Sequence, residues 1–362
     1  MLPVLYLATV LVLVVTLLPL WRHPHWVIRA MDFPRLQFAG FALALLVAQF
    51  LVLDPGEPHT WIVIITVAAC LSWHLWWIAP YTPLWPLEVA AASDVSADRR
   101  LSIITANVLT PNRDASMLLQ LVARYRPDIL LTLESDQWWQ ERLDTLEAEM
   151  PYTVKCPLDN LYGMHVYSRL PLRDAEISFL VQEDVPSIHA SLRLRSGHSV
   201  RMHFLHPAPP GPTENTKSEE RDAELVMVAR SIAQTDQAVI VTGDLNDVAW
   251  SSTTRLFRKL SGLLDPRVGR GMFNTFHANY RLLRWPLDYL FHSQHFSVCS
   301  LQRLPPIGSD HFALLTRLSY TATDNPGDTG LEPGSGDQER AQSIVDNKNV
   351  NESDVPRPAE LN

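Results

Sequence analysis

Cysteine is scarce in this chain, with three in 362 residues. Cys70, Cys156 and Cys299 stand far apart and form no CxxC spacing, which argues against a disulfide framework and against structural zinc. A basic excess is missing as well: 30 Lys and Arg face 39 Asp and Glu, for a formal net charge of −9. Charge of either sign is absent from three long runs, Leu2–Leu20, Leu36–Leu53 and Trp61–Ala79. Each is close to the ~20 residues that cross ~30 Å of hydrocarbon as a helix. Trp21, Trp26, Trp61, Trp76, Trp77 and Trp85 lie at or near the ends of these runs, where indole rings favour the interface. The first run has no basic leader and no small-residue cleavage site, so three retained transmembrane helices are expected rather than a signal peptide. His74, inside the third run, reads as a structural partner for a neighbouring helix.

Aliphatic residues are nearly missing after Tyr320. There, nine Asp and Glu against three Lys and Arg carry about two thirds of the net charge. The global balance therefore says little about any catalytic face. These contrasts divide the chain into three transmembrane helices over 1–80, a proline-rich linker over 81–100, a catalytic-size domain over 101–320, and a disordered acidic tail over 321–362. The first loop carries Arg22, Arg29 and Arg35 against Asp32, and the second carries only Asp54 and Glu57. Positive-inside bias places the first loop, and after two more crossings the domain, in the cytoplasm.

Within the domain, the run Ala238–Val241 is β-branched and apolar, as in a strand covered on both faces. Thr242 and Gly243 break it, and Asp244, Asn246 and Asp247 follow, oxygen ligands crowded where open α/β sheets place active sites. Leu101–Ala106 and Ile129–Leu133 read as strands joined by a helix that starts near Asp114 or Ser116. They deliver Asn107 and Glu134 side by side through a right-handed crossover. Trp138 to about Met150 reads as a helix, and Tyr162–Ser168 alternates as a half-buried strand should. Ser187–Leu194 and Val200–Leu205 read as a strand pair, the second delivering His206 ahead of a Pro-rich loop. Glu219–Ala233 and Trp250–Leu260 read as helices, the latter capped by Ser251 or Ser252. Asp288 sits inside the apolar strand Leu287–Phe291 and requires a buried partner. Ser309, Asp310 and His311 precede a last strand, Phe312–Leu318.

The ordered set Asn107, Glu134, His206-Pro207, Gly243-Asp244-Leu245-Asn246, Asp288-Tyr289 and Ser309-Asp310-His311 resembles the endonuclease/exonuclease/phosphatase superfamily over about residues 100–320. The resemblance implies a four-layer α/β sandwich, two mixed sheets flanked by helices, here preceded by the three transmembrane helices. It implies a divalent cation, Mg²⁺ or Mn²⁺, held by Glu134 with Asn107 and Asp310, and hard oxygen ligands suit those ions. It further implies catalytic roles for His311 paired with Asp288, for Asp244 toward the attacking water, and for Asn246 and His206 toward the phosphoryl oxygens. Whether Asp244 or His311 is the base stays open at this stage. Two positions after Asn107, where repair nucleases of the family carry a polar residue, this chain has Leu109. Thr275-Phe276 resembles a family element near the substrate pocket. A basic bias runs from Arg255 through Arg258, Lys259, Arg267, Arg270 and Arg281 to Arg284.

The expected function is a membrane-anchored, metal-dependent phosphoesterase acting on a phosphodiester or pyrophosphate, with a lipid-linked or a nucleic-acid substrate. The alternatives are a tethered nuclease and a non-catalytic scaffold on the same fold. Family members with three N-terminal helices include proteins of the bacterial inner membrane, some acting outside the cytoplasm. That conflicts with the charge-based orientation and leaves the side of the domain undecided.

Overall fold

The computed structural model describes residues 2–92, 96–321 and 330–358. The N-terminal part holds helices α1 (Leu2–Leu17), α2 (Trp26–Ala30), α3 (Arg35–Val52) and α4 (Pro58–Ile78). Three stretches, Leu2–Trp21, Arg35–Val52 and Pro58–Tyr81, are long and apolar enough to cross a membrane. They pack through Leu5, Val12, Ala42, Leu45, Val67 and Cys70 while Leu7, Leu51, Ile62 and Ile65 face outward. Two polar contacts join these helices, as suits an apolar medium. Gln49 Nε2 donates to Thr9 Oγ1 at 2.8 Å, and His74 Nε2 meets Thr16 Oγ1 at 3.0 Å, which supplies the structural partner expected of His74.

The remainder runs β1 (Arg100–Asn107), α5 (Ser116–Tyr125), β2 (Ile129–Leu133), α6 (Gln137–Leu143), β3 (Tyr152–Cys156), β4 (Met164–Ser168), β5 (Leu172–Ser178), β6 (Ser187–Arg193), β7 (Ser199–Leu205), α7 (Glu219–Ile232), β8 (Val239–Asp244), α8 (Ser252–Ser261), β9 (Asp288–His292), β10 (Phe296–Pro306), β11 (Phe312–Tyr320) and α9 (Asp337–Lys348). Two mixed sheets form, ordered β10-β11-β1-β2-β4-β3 and β5-β6-β7-β8-β9. Each contains one parallel pair, β1 with β2 and β7 with β8, bridged by α5 and α7 respectively.

Period-two alternation builds the layers. On β1 and β2, Ile103 and Leu131 enter the core between the sheets, while Ile104 and Leu130 turn to α5 and α6. On β8, Ile240 faces the inter-sheet core and Val239 and Val241 face α7 and α8. The result is helices, sheet, sheet, helices, the four-layer sandwich expected from the resemblance.

At the end of β8 the backbones crowd. A Cβ on Gly243, whose φ is 151°, would stand 1.8 Å from the Leu205 carbonyl oxygen of β7. Gly243→Ala is therefore expected to cost at least ~3 kcal/mol, because the clash is with backbone that cannot yield. Chemical denaturation of the two proteins checks this, and a loss under ~1 kcal/mol would contradict the packing.

Several sequence expectations need correction. β4 is buried along its whole length rather than half-buried, because it lies between β2 and β3 with a core on each face. The helix expected from Trp138 to Met150 ends at Leu143 and continues only as a short 3₁₀ turn. β3, β5 and β10 were not anticipated; β5 is largely exposed and lacks an apolar pattern. The segment 81–92 is docked rather than a loose linker: Tyr81 donates to the Ala249 carbonyl at 3.0 Å and Glu88 pairs with Arg258. The tail is not wholly disordered. Ala341 and Val345 on one face of α9, with Val355 beyond it, join the core under α7 and α8, and Lys348 pairs with Glu220 at 2.6 Å. Disorder expected for 322–329 and 359–362, like the linker positions 93–95, lies outside the described residues.

Candidate active site

β1 and β2 lie in parallel register with Asn107 opposite Leu133, so Glu134 emerges one residue further along, beside the amide. Glu134 takes a left-handed backbone (φ 55°), with its carbonyl accepting from Thr110 Oγ1 at 2.7 Å. Non-glycine residues hold such a conformation when their surroundings impose it, and functional sites are where this is concentrated. On the second sheet, Asp244 ends β8 directly opposite Asp288 at the start of antiparallel β9. The sheets are tied near this point by Thr105 Oγ1 and Thr242 Oγ1, 2.7 Å apart.

Two carboxylates opposed across strands repel. His311, delivered just ahead of β11, sits between them. Its Nδ1 is 2.8 Å from Asp288 Oδ2, and its Nε2 is 3.5 Å from Asp244 Oδ2. Asp288, with no accessible surface, thereby receives the partner that its burial requires. Thr275 fixes it further, its hydroxyl accepting from the backbone N–H of Leu287 and of Asp288 at 3.3 and 3.2 Å. Asn107 links the halves of the site: its Nδ2 donates to Glu134 Oε1 at 2.7 Å and to Asp244 Oδ2 at 3.4 Å, while its Oδ1 accepts from the Leu109 N–H. Position 109, apolar in this chain, thus contributes its backbone.

The electrostatics follow from this crowding in a dry interior. Burial, reinforced by Asp310 and Asp288 against the hydrogen bond from Asn107, pushes Glu134 up to about 7. Burial likewise pushes Asp244 up to about 7, against the pull of His311. Burial opposes charge on His311, yet the carboxylates of Asp288 and Asp244 outweigh it and push the imidazole up to about 10. His206, buried and facing the charged His311, is driven down to about 3. The site therefore holds one imidazolium and one neutral imidazole at neutral pH.

Two groups of side chains bear on a cation. Ligand atoms of Asp244, Asp288 and His311 lie within 4.8 Å of one another, close enough to surround an ion. Both nitrogens of His311 already face carboxylates, however, so an ion there would have to displace a buried imidazolium. Glu134 is different: its Oε2 is buried and has no hydrogen-bond partner among the described residues. It faces the same cleft as Asp310, and an unpaired carboxylate oxygen with a second carboxylate nearby fits a hard divalent ion.

The cleft, about 460 Å³, is lined at its polar end by Glu134, Asn246, Asp310 and His311. Asn246, held at φ 52°, is oriented by its Nδ2 donating to the Pro207 carbonyl at 3.1 Å and by its N–H donating to Asp244 Oδ1 at 2.9 Å. His206 is buried behind it, its Nδ1 without a partner among the described residues and its ring against Tyr162. Asp247, crowded into the same sequence cluster, does not join: it turns away to Arg221 at 3.1 Å and Ser251 at 2.7 Å. The basic bias of 255–284 is dispersed as well. Arg258 pairs with Glu88, Arg267 with Asp265 at 2.8 Å, and Arg284 caps the Ala278 carbonyl at 2.8 Å.

Sequence reasoning missed the other wall of the cleft. Trp26, Ala30, Phe33 and Pro34, from the connector between α1 and α3, line it together with Phe276, Trp285 and Leu287. The connector is clamped to the domain: Trp26 N–H donates to the Thr216 carbonyl at 3.0 Å, Arg29 pairs with Asp222 at 3.2 Å, and Trp250 Nε1 donates to the Asp32 carbonyl at 2.7 Å. The surplus of aromatic residues in a short loop between spans was the one available signal.

The chain is thus a four-layer α/β sandwich whose strand ends converge on carboxylates, an amide and a histidine. The chain belongs to the endonuclease/exonuclease/phosphatase family, whose model matches residues 104–311 and whose members are in general metal-dependent phosphoester hydrolases. Among solved structures it is similar to humanized D. rerio TDP2 carrying 14 mutations (19% identity, 61% of this chain and 99% of that one, TM-score 0.50). D. rerio TDP2 complexed with a single-strand DNA product is comparable (18%, 61% and 100%, TM-score 0.50). So is an endonuclease/exonuclease/phosphatase from Beutenbergia cavernae (16%, 62% and 72%, TM-score 0.50). At these identities the likeness is one of fold. No curated protein matches the chain.

Proposed function

We propose that the protein is a membrane-attached phosphoesterase, dependent on Mg²⁺ or Mn²⁺, that hydrolyses a phosphodiester or pyrophosphate bond in a lipid-linked substrate. The observation that carries the reading is the make-up of the cleft: a polar end of Glu134, Asn246, Asp310 and His311 adjoins an apolar wall of Trp26, Ala30, Phe33 and Pro34 that comes from between two candidate spans. An amphiphile held by the bilayer presents its phosphate and its hydrocarbon in that order; a nucleic acid could stack bases on the aromatic rings but has no hydrocarbon to lay on Ala30 and Pro34 between two candidate spans.

Glu134 and Asp310 would hold the ion, and Asn107, whose Nδ2 donates to Glu134 and whose Oδ1 is taken by the Leu109 N–H, would orient Glu134 rather than ligate as expected from the resemblance. A divalent cation bound there would neutralise charge on the phosphoryl oxygens. The side chain of Asn246 and the buried ring of His206 would receive those oxygens. Asp244, close to neutrality in its own proton balance, would take the proton of the attacking water. His311, kept cationic by its two carboxylates, has no lone pair for that task; it would stabilise developing charge and return a proton to the leaving oxygen.

Kinetics of the full chain in detergent with Mg²⁺ test this, using bis(p-nitrophenyl) phosphate, a polyprenyl pyrophosphate and a single-stranded oligonucleotide as substrates. Joint replacement of Trp26 and Phe33 by Ala is expected to raise KM for the polyprenyl substrate about tenfold or more, while the small ester shifts under about twofold, because only the former buries hydrocarbon on the wall. Preferential cleavage of the oligonucleotide would support the nuclease reading instead. No turnover of any substrate would point to the non-catalytic scaffold.

A further inference from the structure

All three candidate spans end beside the domain at a second cavity, distinct from the catalytic cleft and of about 220 Å³. Pro19 and Leu20 close the first span, Arg35 opens the second, and Trp73 and Trp77 lie near the end of the third. The domain contributes Arg255 and Lys259 from α8, and the C-terminal helix contributes Arg340 and Asp337. Five cations, with Arg22, thus meet two carboxylates, Asp32 and Asp337. Both carboxylates are taken: Asp32 pairs with Arg35, and Asp337 with Lys259 at 2.8 Å.

Arg22, Arg255 and Arg340 form no ion pair among the described residues, although Asp337 acts on Arg255 and Arg340 at longer range. Arg255 lies over the Trp77 ring at 4.8 Å from its centroid, and Arg340 donates only to the Ser252 carbonyl and hydroxyl, each at 3.2 Å. Further donors are idle in the same walls. Arg35, 4% exposed, has an unpartnered Nε, and the buried Nε1 atoms of Trp73 and Trp77 have no acceptor. Buried donors and guanidinium groups left without acceptors are costly, and a phosphate supplies both the acceptors and the charge.

We infer that this cavity binds a phosphate ester, and that its source is an anionic phospholipid headgroup in the leaflet facing the domain. The placement selects the source: the cavity opens where the three spans emerge, at the level of headgroup phosphates, and indole rings line it. The inference rests on the spans lying in a bilayer, as proposed above. It also gives the acidic tail a task, since α9 brings Arg340 to the membrane surface.

The test uses the full chain in mild detergent, with native mass spectrometry against added phosphatidylglycerol or phosphatidylcholine. The wild type is expected to retain one phosphatidylglycerol at least about tenfold more tightly than phosphatidylcholine. R255Q and the exposed-site variant R22Q should each lose most of that preference. R22Q removes a solvent-facing charge with no ion pair, so misfolding does not cloud its result; W77F, which removes the N–H donor and shrinks the ring beneath Arg255 but keeps every charge, should lose less than R255Q. Binding by R22Q and R255Q equal to wild type overturns the site. Displacement of the lipid by inorganic phosphate at comparable concentration overturns the lipid assignment in favour of free phosphate. Alkaline carbonate extraction separates the two readings: release of the protein from membranes defeats membrane attachment itself, whereas retention without lipid preference defeats only the cavity.

Discussion

His311→Gln lowers kcat toward a phosphodiester by about 10²- to 10⁴-fold with little change in KM, the range expected when a positioned proton-transfer group is lost. The magnitude comes from what the imidazole does between two carboxylates. With Asp288 at 2.8 Å and Asp244 at 3.5 Å, the ring carries a charge that no amide replaces. Glutamine fills similar volume, so the loss is read as chemistry and not as collapse. The variant also leaves Asp244 and Asp288 opposed across β8 and β9 without a cation between them, and one of them must then keep a proton. Steady-state kinetics at saturating Mg²⁺ decide the matter. A decrease below about tenfold would remove His311 from the reaction.

If Glu134 holds the proposed ion, Glu134→Gln abolishes most activity at low Mg²⁺, by about 10³-fold, and recovers partly when the ion is raised, because the substitution would remove a charged ligand but keep an oxygen. Calorimetry of Mg²⁺ binding gives the same answer without turnover. The pH dependence has a definite sign. Glu134 is pushed up to about 7 in the ion-free protein, so an ion competes with a proton there. Affinity for Mg²⁺ is flat above that value and falls toward about tenfold per pH unit below it, with a proton released on binding. Affinity that stays constant from about pH 8 to about pH 5 would show that Glu134 is not a ligand.

Much of this molecule is legible in its amino-acid sequence. The candidate spans are read from uninterrupted apolar length, a local property. The strands β1, β2, β7 and β8 are read from short runs rich in apolar residues that stop at Asn107, Glu134, His206 and Asp244, and chain order with crossover handedness brings such ends together. β3, β5 and β10 escaped because edge strands with mixed polarity carry no clean period. The direction of a side chain also escaped. Asp244 and Asp247 are three residues apart in one cluster, yet the first faces the candidate site and the second neutralises Arg221.

The amino-acid order alone determined the layered α/β class, the apolar helices and the identity of the polar groups at the strand ends, because each depends on neighbours within a few residues. Tertiary structure alone decided that the connector 22–35 walls the cleft, that α9 docks through Ala341 and Val345, and that Arg22, Arg255 and Arg340 share one cavity. Those contacts join residues as much as three hundred positions apart, and no local pattern encodes a distance that only the packing of layers sets.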